Sequence, residues 1–293
     1  LRAGRVAFTL APRLNAAGRI GSAMLGVELL LTDDPTRAND LAHQLEQLNA
    51  RRQGMDRATL DAARRQAVAR GGDAAWGLVL HGDDWHPGVV GIVASRIVEE
   101  FGRPAVLVAM EGDTGKGSGR SVGSFDLHAA LTECREHLLR FGGHRAAAGV
   151  TVAREQLEAF ARRFDAIAQA RLSPDDLVPQ LRADLEMPLA EITDDLARLL
   201  RHGEPWGVAN PTPVFVSRGV ELADRPRVMK EEHLKLLVAD GARTLEAIGW
   251  RMAVEGAGLA KGDRVDLAYQ VERDTWQGRD RLQLKLVGIA RAG

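Results

Sequence analysis

The sequence predicts a layered α/β domain followed by a small β-rich barrel. Three observations predict it. Residues 76–170 alternate short apolar runs with stretches whose apolar residues recur every three or four positions, as strands interleaved with helices do. Ser173-Pro174 and Pro179 then punctuate the chain as a linker. Beyond them, short alternating strands separated by turns dominate.

The elements follow in order. An apolar stretch from Val6 to Leu10, a Gly/Asn/Arg segment and an apolar run from Met24 to Leu31 open the chain. Asp33-Asp34-Pro35 reads as a helix start, because Asp caps free N–H groups and proline suits the first turn. Leu41, Leu45, Leu48, Met55 and Leu60 then predict a long amphipathic helix to about Arg70, with Gly54 a candidate break and Gly71-Gly72 its end. The arginines on its other face, Arg51, Arg52, Arg57, Arg64 and Arg65, read as a solvated surface rather than a nucleic-acid contact. Next come a strand at Gly77–Leu80, a helix at Val89–Phe101, a strand at Pro104–Met110 and a polar, glycine-rich piece from Lys116 to Val122. A helix capped by Asp126 is expected to run to Phe141, then a strand at Ala147–Val152 and a helix at Arg154–Leu172. After the linker a helix is expected at Leu189–Leu200. Strands are expected at Pro213–Val216, His233–Val238, Thr244–Trp250, Arg264–Val271 and Arg281–Ile289.

Composition narrows the function classes. With 45% hydrophobic residues among 293, the chain can build sizeable cores. Its 39 Lys and Arg nearly balance its 40 Asp and Glu, so a uniformly basic coat is excluded and any phosphate site must be a local patch. A single cysteine, Cys134, excludes an internal disulfide and a Cys-rich zinc site, and fits a reducing compartment. No apolar run approaches the roughly 20 residues of a membrane helix. No signal peptide or initiator Met opens the chain, which reads as a fragment beginning inside a larger protein.

Four local motifs carry chemistry. In Asn15-Ala16-Ala17-Gly18-Arg19, small residues permit close backbone approach while Asn15 and Arg19 offer an amide and a planar cation; alone, it reads first as a helix start with a surface arginine. Asp83-Asp84-Trp85-His86-Pro87-Gly88 holds potential metal ligands, but a strand-to-helix turn explains it better. Lys116-Gly117-Ser118-Gly119-Arg120-Ser121 packs two glycines, two hydroxyls and two cations into six residues. It can form an anion nest with a forked arginine contact, with a flexible hairpin tip as the plainer alternative. Phe141-Gly142-Gly143-His144, followed by Ala146-Ala147-Ala148-Gly149, exposes backbone donors and an imidazole at one turn.

Taken in order, these motifs resemble the RecJ branch of the DHH phosphoesterase superfamily. Residues 15–23 resemble the end of its DHH domain. The stretches at 85–97, 118–131 and 141–149 resemble successive motifs of its DHHA1 domain, and those at 204–215, 234–238 and 265–287 its OB-fold region. Two departures are visible. Ser124 precedes Phe125 where the family usually has Gly, and Gly207-Val208-Ala209-Asn210 replaces a Gly-x-Gly-Asn turn.

The resemblance implies a fold: an α/β DHHA1-type domain (73–172) joined by a long helix (32–72) to the remnant of a DHH domain (1–31), then a β-rich OB-fold domain (183–293). It implies 5′-to-3′ exonuclease activity on single-stranded DNA, in repair and recombination, with manganese or magnesium. The family's metal-binding Asp and Asp-His-His motifs precede the NAAGR segment and have no match here, so this stretch is expected to bind DNA without cleaving it. His144 is the expected catalytic contact. Asn15, Arg19, Ser118, Gly119, Arg120, Ser121, Gly142 and Gly143 are the expected phosphate contacts, and none of them is expected to ligate metal. Among aromatics that could stack on bases, Trp250 and Tyr269 are expected in the core and Trp276 at the surface. Single-stranded-DNA-binding protein, a RecQ-type helicase and a cytoplasmic location are implied by the family alone. Two other readings stand beside this one: a DHH/DHHA1 phosphodiesterase of short oligonucleotides, which the OB-like tail argues against, and a non-enzymatic nucleic-acid-binding module. DHHA1 also occurs in alanyl-tRNA synthetases, where NAAGR before the domain does not fit.

Overall fold

The computed structural model describes residues 4, 6–178, 180–207, 209–274, 278 and 280–292. The chain divides between residues 179 and 180 into two compact units.

The first unit opens with a π-helical turn at Val6–Leu10 and helices α1 (Ala11–Ile20), α2 (Met24–Leu31) and α3 (Pro35–Ala69). Asp34 caps α3 by accepting from the Thr36 N–H, and Pro35 fills its first position. The 35-residue α3 passes Gly54 without a break, contrary to expectation. That glycine lies in open space and weakens the helix by only about 1 kcal/mol. Burial of Leu41, Leu45, Leu60, Ala63 and Ala67 on either side outweighs it. The apolar run at Met24–Leu31 is helix α2.

Five strands follow in the spatial order β1 (Leu78–Gly82), β2 (Ala105–Glu111), β3 (Thr114–Arg120), β5 (Ala147–Ala153), β4 (Arg140–Gly143). β1 and β2 are parallel, joined by α4 (Pro87–Phe101); the other neighbours are antiparallel. Alternation assigns the faces. Val79, Val106, Val108, Met110, Ala148, Val150 and Val152 point to a core closed by α5 (Leu127–Glu133) and α6 (Leu157–Arg171). Leu78, Leu80, Ala105, Leu107 and Ala109 point the other way, under α3 and α4. Cys134 lies in the first of these cores, and burial pushes its thiol up to about 12.

Two expectations need correction here. The helix expected to reach Phe141 stops at Glu133, because residues 140–143 pair with β5 as β4; only Leu127, Ala130, Leu131 and Cys134 supply a buried helical face. Lys116–Arg120 is neither hairpin tip nor nest but an interior strand, bonded on both sides to β2 and β5. Gly115, Gly117 and Gly119 are needed there because a Cβ at each would meet core side chains, such as Val150 at Gly117 and Leu127 at Gly119.

The second unit is a barrel. Strands β7 (Phe215–Leu222), β9 (His233–Asp240), β10 (Arg243–Gly249), β11 (Arg264–Asp274) and β12 (Arg281–Arg291) pair in the order 7-11-12-10-9, and β7 closes back on β9. β10 and β12 run parallel and all other pairs of the ring antiparallel, the connectivity of an OB fold. Short strands β6 (Leu185–Glu186) and β8 (Arg227–Met229) add to it, beyond the strands expected. The helix expected from Leu189 begins later, as α7 (Asp194–His202), because Thr193 caps it and two aspartates occupy its first turn. Tyr269 is fully buried as expected, its hydroxyl 2.7 Å from that of Ser217, which donates to the Met187 carbonyl at 2.6 Å.

Candidate nucleic-acid interface

The site grows from one geometric fact. α4 packs against β2 and β3, and on that same side of the sheet β4 and β5 present a bare face at the exposed Arg140, Gly142 and Gly149. On β3 that face carries Lys116, Ser118 and Arg120, because it is the face shared with Ala105, Leu107 and Ala109. Register then sets out rows across the strands: Arg120 beside Ala147, Ser118 beside Gly149 and Gly142, Lys116 beside Thr151 and Arg140. A Cβ on Gly142 would meet nothing within 4 Å, and one on Gly149 only the Gly117 carbonyl oxygen at 3.9 Å. The floor is therefore flat peptide, open to a ligand.

Arg120 is held in place. Its Nη1 donates to Ser118 Oγ at 2.9 Å and to the Gly119 carbonyl at 2.8 Å. Gly91 of α4 packs over it; a Cβ there would stand 3.1 Å from Ser118 Oγ and 3.3 Å from Arg120 Nη2. Burial, and behind it the charge of Arg19, holds the Arg120 guanidinium below its ordinary value. Two arginines thus approach each other, and no ion pair with a carboxylate is found for either among the described residues. Such a pair is a site for an anion.

Arg19 reaches this place through close packing of α1 against α4. Its Nη1 donates to the Gly88 carbonyl at 3.3 Å. A Cβ on Gly88 would collide with the Arg19 carbonyl. Asn15 lies one turn before Arg19 on the same exposed face of α1, while Ala16 and Ala17 are buried.

The Gly142-Gly143-His144 turn meets the same end of the sheet. Ala147 pairs with Arg120 on one side, and its carbonyl accepts from the His144 N–H at 2.8 Å on the other. Gly143 has φ +144°, and a Cβ there would stand 2.5 Å from the Ala147 oxygen. That position requires glycine. His144 is exposed. The Ser121 N–H donates to Ala146 O, and its hydroxyl donates to Phe125 O at 2.6 Å, which ties down the following turn. Arg145 donates to Ser124 O at 2.8 Å, joining the two turns. Asn15, Arg19, Ser118, Arg120, Ser121 and the Gly-Gly-His turn are therefore brought together. Gly119 is turned to the opposite face and its N–H belongs to the ladder, so the anion-nest geometry expected for it is not present. Sequence reasoning reaches Lys116 and Gly149 only as parts of their motifs and misses Arg140 and Thr151. Their signal is the alternation of strands once β4 and β5 are in register.

The described residues do not fit a metal. No group of three His, Cys, Asp or Glu side chains comes together among them. Asp83 pairs with Arg154, Asp34 caps α3, and His86 Nδ1 accepts from Gly88 N–H at 3.0 Å as the cap of α4. The arginines of α3 are in part structural: Arg52 pairs with buried Asp56 and Arg64 with Glu100.

In the barrel, Trp250 corrects the core expectation: it is 57% exposed. It follows the last residue of β10, where alternation no longer turns side chains inward. His233 meets its ring edge-on at 4.8 Å, and the Arg251 N–H donates to His233 Nδ1 at 3.1 Å. Arg251, Lys230 and Glu231 all have positive φ (60°, 49° and 62°). Trp276 lies outside the described residues.

Comparison with known proteins adds the following. A DHHA1 domain model matches residues 74–170, and a RecJ OB domain model matches residues 183–288. The chain is 34% identical over 288 residues to the single-stranded-DNA-specific exonuclease RecJ of Bacillus subtilis, covering 97% of this chain and 36% of that protein. It is 36% identical over 300 residues to the protein of the same name from Escherichia coli, covering 99% of this chain and 52% of that one. The crystal structure of RecJ in complex with Mn2+ from Thermus thermophilus superposes with a TM-score of 0.85 at 33% identity, over 100% of this chain and 42% of that one. The chain thus spans about half or less of the length of these relatives.

Proposed function

We propose, from the premise that this chain belongs to the RecJ family, that it is the strand-holding portion of a single-stranded-DNA-specific 5′-to-3′ exonuclease. The observation that carries this is the convergence of Arg19 and Arg120, two cations without a carboxylate partner among the described residues, beside Ser118 and the exposed His144 at one end of a bare sheet. Arg120 forks onto a phosphate, Arg19 and Asn15 close on it from α1, and His144 donates to the same phosphate next to the bond that is cut. The flat glycine floor lets a single backbone lie against the sheet, where the bulk of a duplex is disfavoured.

Phosphodiester hydrolysis in a metal-dependent nuclease uses divalent ions to activate water and stabilise the leaving oxygen. The described residues bring together no such group of ligands, so manganese or magnesium would have to be held by residues outside them. This stretch alone binds and does not cleave. Residues 1–31 are then the end of a DHH domain, 32–72 its connector, 73–172 the DHHA1 domain and 183–293 the OB fold.

The barrel supplies a second, independent strand-binding surface. Left-handed backbone at three non-glycine residues around one exposed tryptophan supports Trp250 as a stacking platform. By family likeness, single-stranded-DNA-binding protein and a RecQ-type helicase are the proposed partners and the cytoplasm the proposed location.

Titration against labelled single-stranded and duplex DNA at several salt concentrations, with Arg120→Ala alongside, tests the reading. Wild type should prefer single strands, and the variant should bind more weakly with a shallower salt slope. Equal binding of both DNA forms, or an Arg120→Ala variant indistinguishable from wild type, overturns it.

A further inference from the structure

We propose that Lys116, Thr151 and Arg140 form a second phosphate seat, which takes a phosphate farther along the strand from the one held at Arg120. The inference rests on the function proposed above and extends it: the sheet binds a chain of at least two phosphates, not a single terminal one.

Register places the three residues in one row on the bare face, with Thr151 between the two cations. That row stands two residues beyond Ser118, Gly149 and Gly142, about 7 Å along the strands, and four residues, about 13 Å, beyond the place of Arg120 on β3. Lys116 and Arg140 are exposed. No ion pair engages either one among the described residues, in a chain whose exposed arginines are often paired. The Thr151 hydroxyl sits between them as a third donor. An arginine on the edge strand β4 would by itself discourage another strand from pairing there. Lys116 has no such use, because β3 is an interior strand bonded on both sides. Two cations that flank one threonine in a row across an interior and an edge strand describe a seat for an anion. The intervening Gly149 and Gly142 leave the path to Arg120 clear for a sugar-phosphate backbone.

The test uses this chain, a fluorescent octathymidylate and a salt series. The Lys116→Ala/Arg140→Ala double variant should bind about tenfold more weakly at low salt, with the slope of log K against log salt shallower by about 0.7, the loss of one phosphate on a single strand. Arg120→Ala should lower the slope by a similar step, and the triple variant by both. Gly149→Val adds bulk to the floor without changing charge, at a position with open space above it; it should also weaken binding, and Arg140→Lys should restore most of what Arg140→Ala loses. If Arg120→Ala weakens binding while the double variant and Gly149→Val match wild type, the second seat is wrong and the first stands. If Arg120→Ala also matches wild type, or the chain binds no DNA, the underlying reading fails and this one with it.

Discussion

The barrel and one sheet face of the first unit treat their cations differently. On the barrel, many cations meet a carboxylate: Arg218 lies between Glu186 and Asp266, Arg273 between Asp194 and Asp280, Arg281 between Glu246 and Asp274, and Lys235 pairs with Glu246. On the bare sheet face of the first unit, Arg19, Lys116, Arg120 and Arg140 meet none among the described residues. A formal net charge of −1 hides this contrast. Several barrel cations are neutralised locally, whereas the four around the sheet face are not, and that cluster is what the proposed phosphate contacts rest on.

The contrast can be broken at several places. The largest effect is expected at Gly88→Ala, where a Cβ collides with the Arg19 carbonyl. The α1–α4 contact should loosen, lowering the first unit's stability by about 3 kcal/mol and displacing Arg19, read by chemical unfolding and by DNA affinity together. Next, Arg120→Ala should lose about 2 kcal/mol of single-strand binding. Arg218→Ala on the barrel should change binding and stability by under about 0.5 kcal/mol, because its ion pairs are exposed. Equal losses in the two variants would erase the distinction.

Tyr269→Phe removes the hydroxyl that meets Ser217 in the barrel core and should destabilise that unit by about 1 kcal/mol, seen in its melting temperature. DNA binding by the sheet should not follow.

Acid should act first on the sheet unit. Burial, and then the charge of Arg70, pushes the half-buried His81 imidazole below its ordinary value. A depressed folded value means stability that is present above the unfolded value, about 6.5, and lost as pH falls through the folded one. Thermal melts of wild type and His81→Gln should therefore converge from pH 7.5 to 5.5. The smallest effect is at Asp176, held at about 2 chiefly by the Ser124 hydroxyl and then by Ser173. Its contribution is present above about pH 3.8 and fades toward 2. Ser124→Ala should raise the Asp176 value, as followed by NMR titration.

Much of this is legible in the sequence, and the gaps have physical causes. Helices with a cap and an apolar stripe, such as α3 and α4, can be placed from Asp34-Pro35 and His86-Pro87 alone. Most barrel strands can be placed from alternation, but β7 runs over Phe215–Leu222 rather than the expected Pro213–Val216, because Ser217, Arg218 and Gly219 interrupt its apolar pattern. β3 cannot, because its three glycines and polar residues have the composition of a loop. Only the tertiary context, Val106, Val108 and Val150 filling the space a Cβ would occupy, makes it an interior strand. The same cause hides Arg140 and Thr151: rows across a sheet are set by register, and register here depends on a strand that local composition disguises. Trp250 escapes the core expectation because one residue past a strand end the alternation rule no longer applies.

The seclusion of Cys134 has a practical side. The only sulfhydryl of the chain is packed into a core and held protonated far above neutral pH, so maleimide dyes should leave the native protein unlabelled. A Leu139→Cys substitution at an exposed position just ahead of β4 would then carry a single fluorophore at the start of that strand, next in sequence to Arg140.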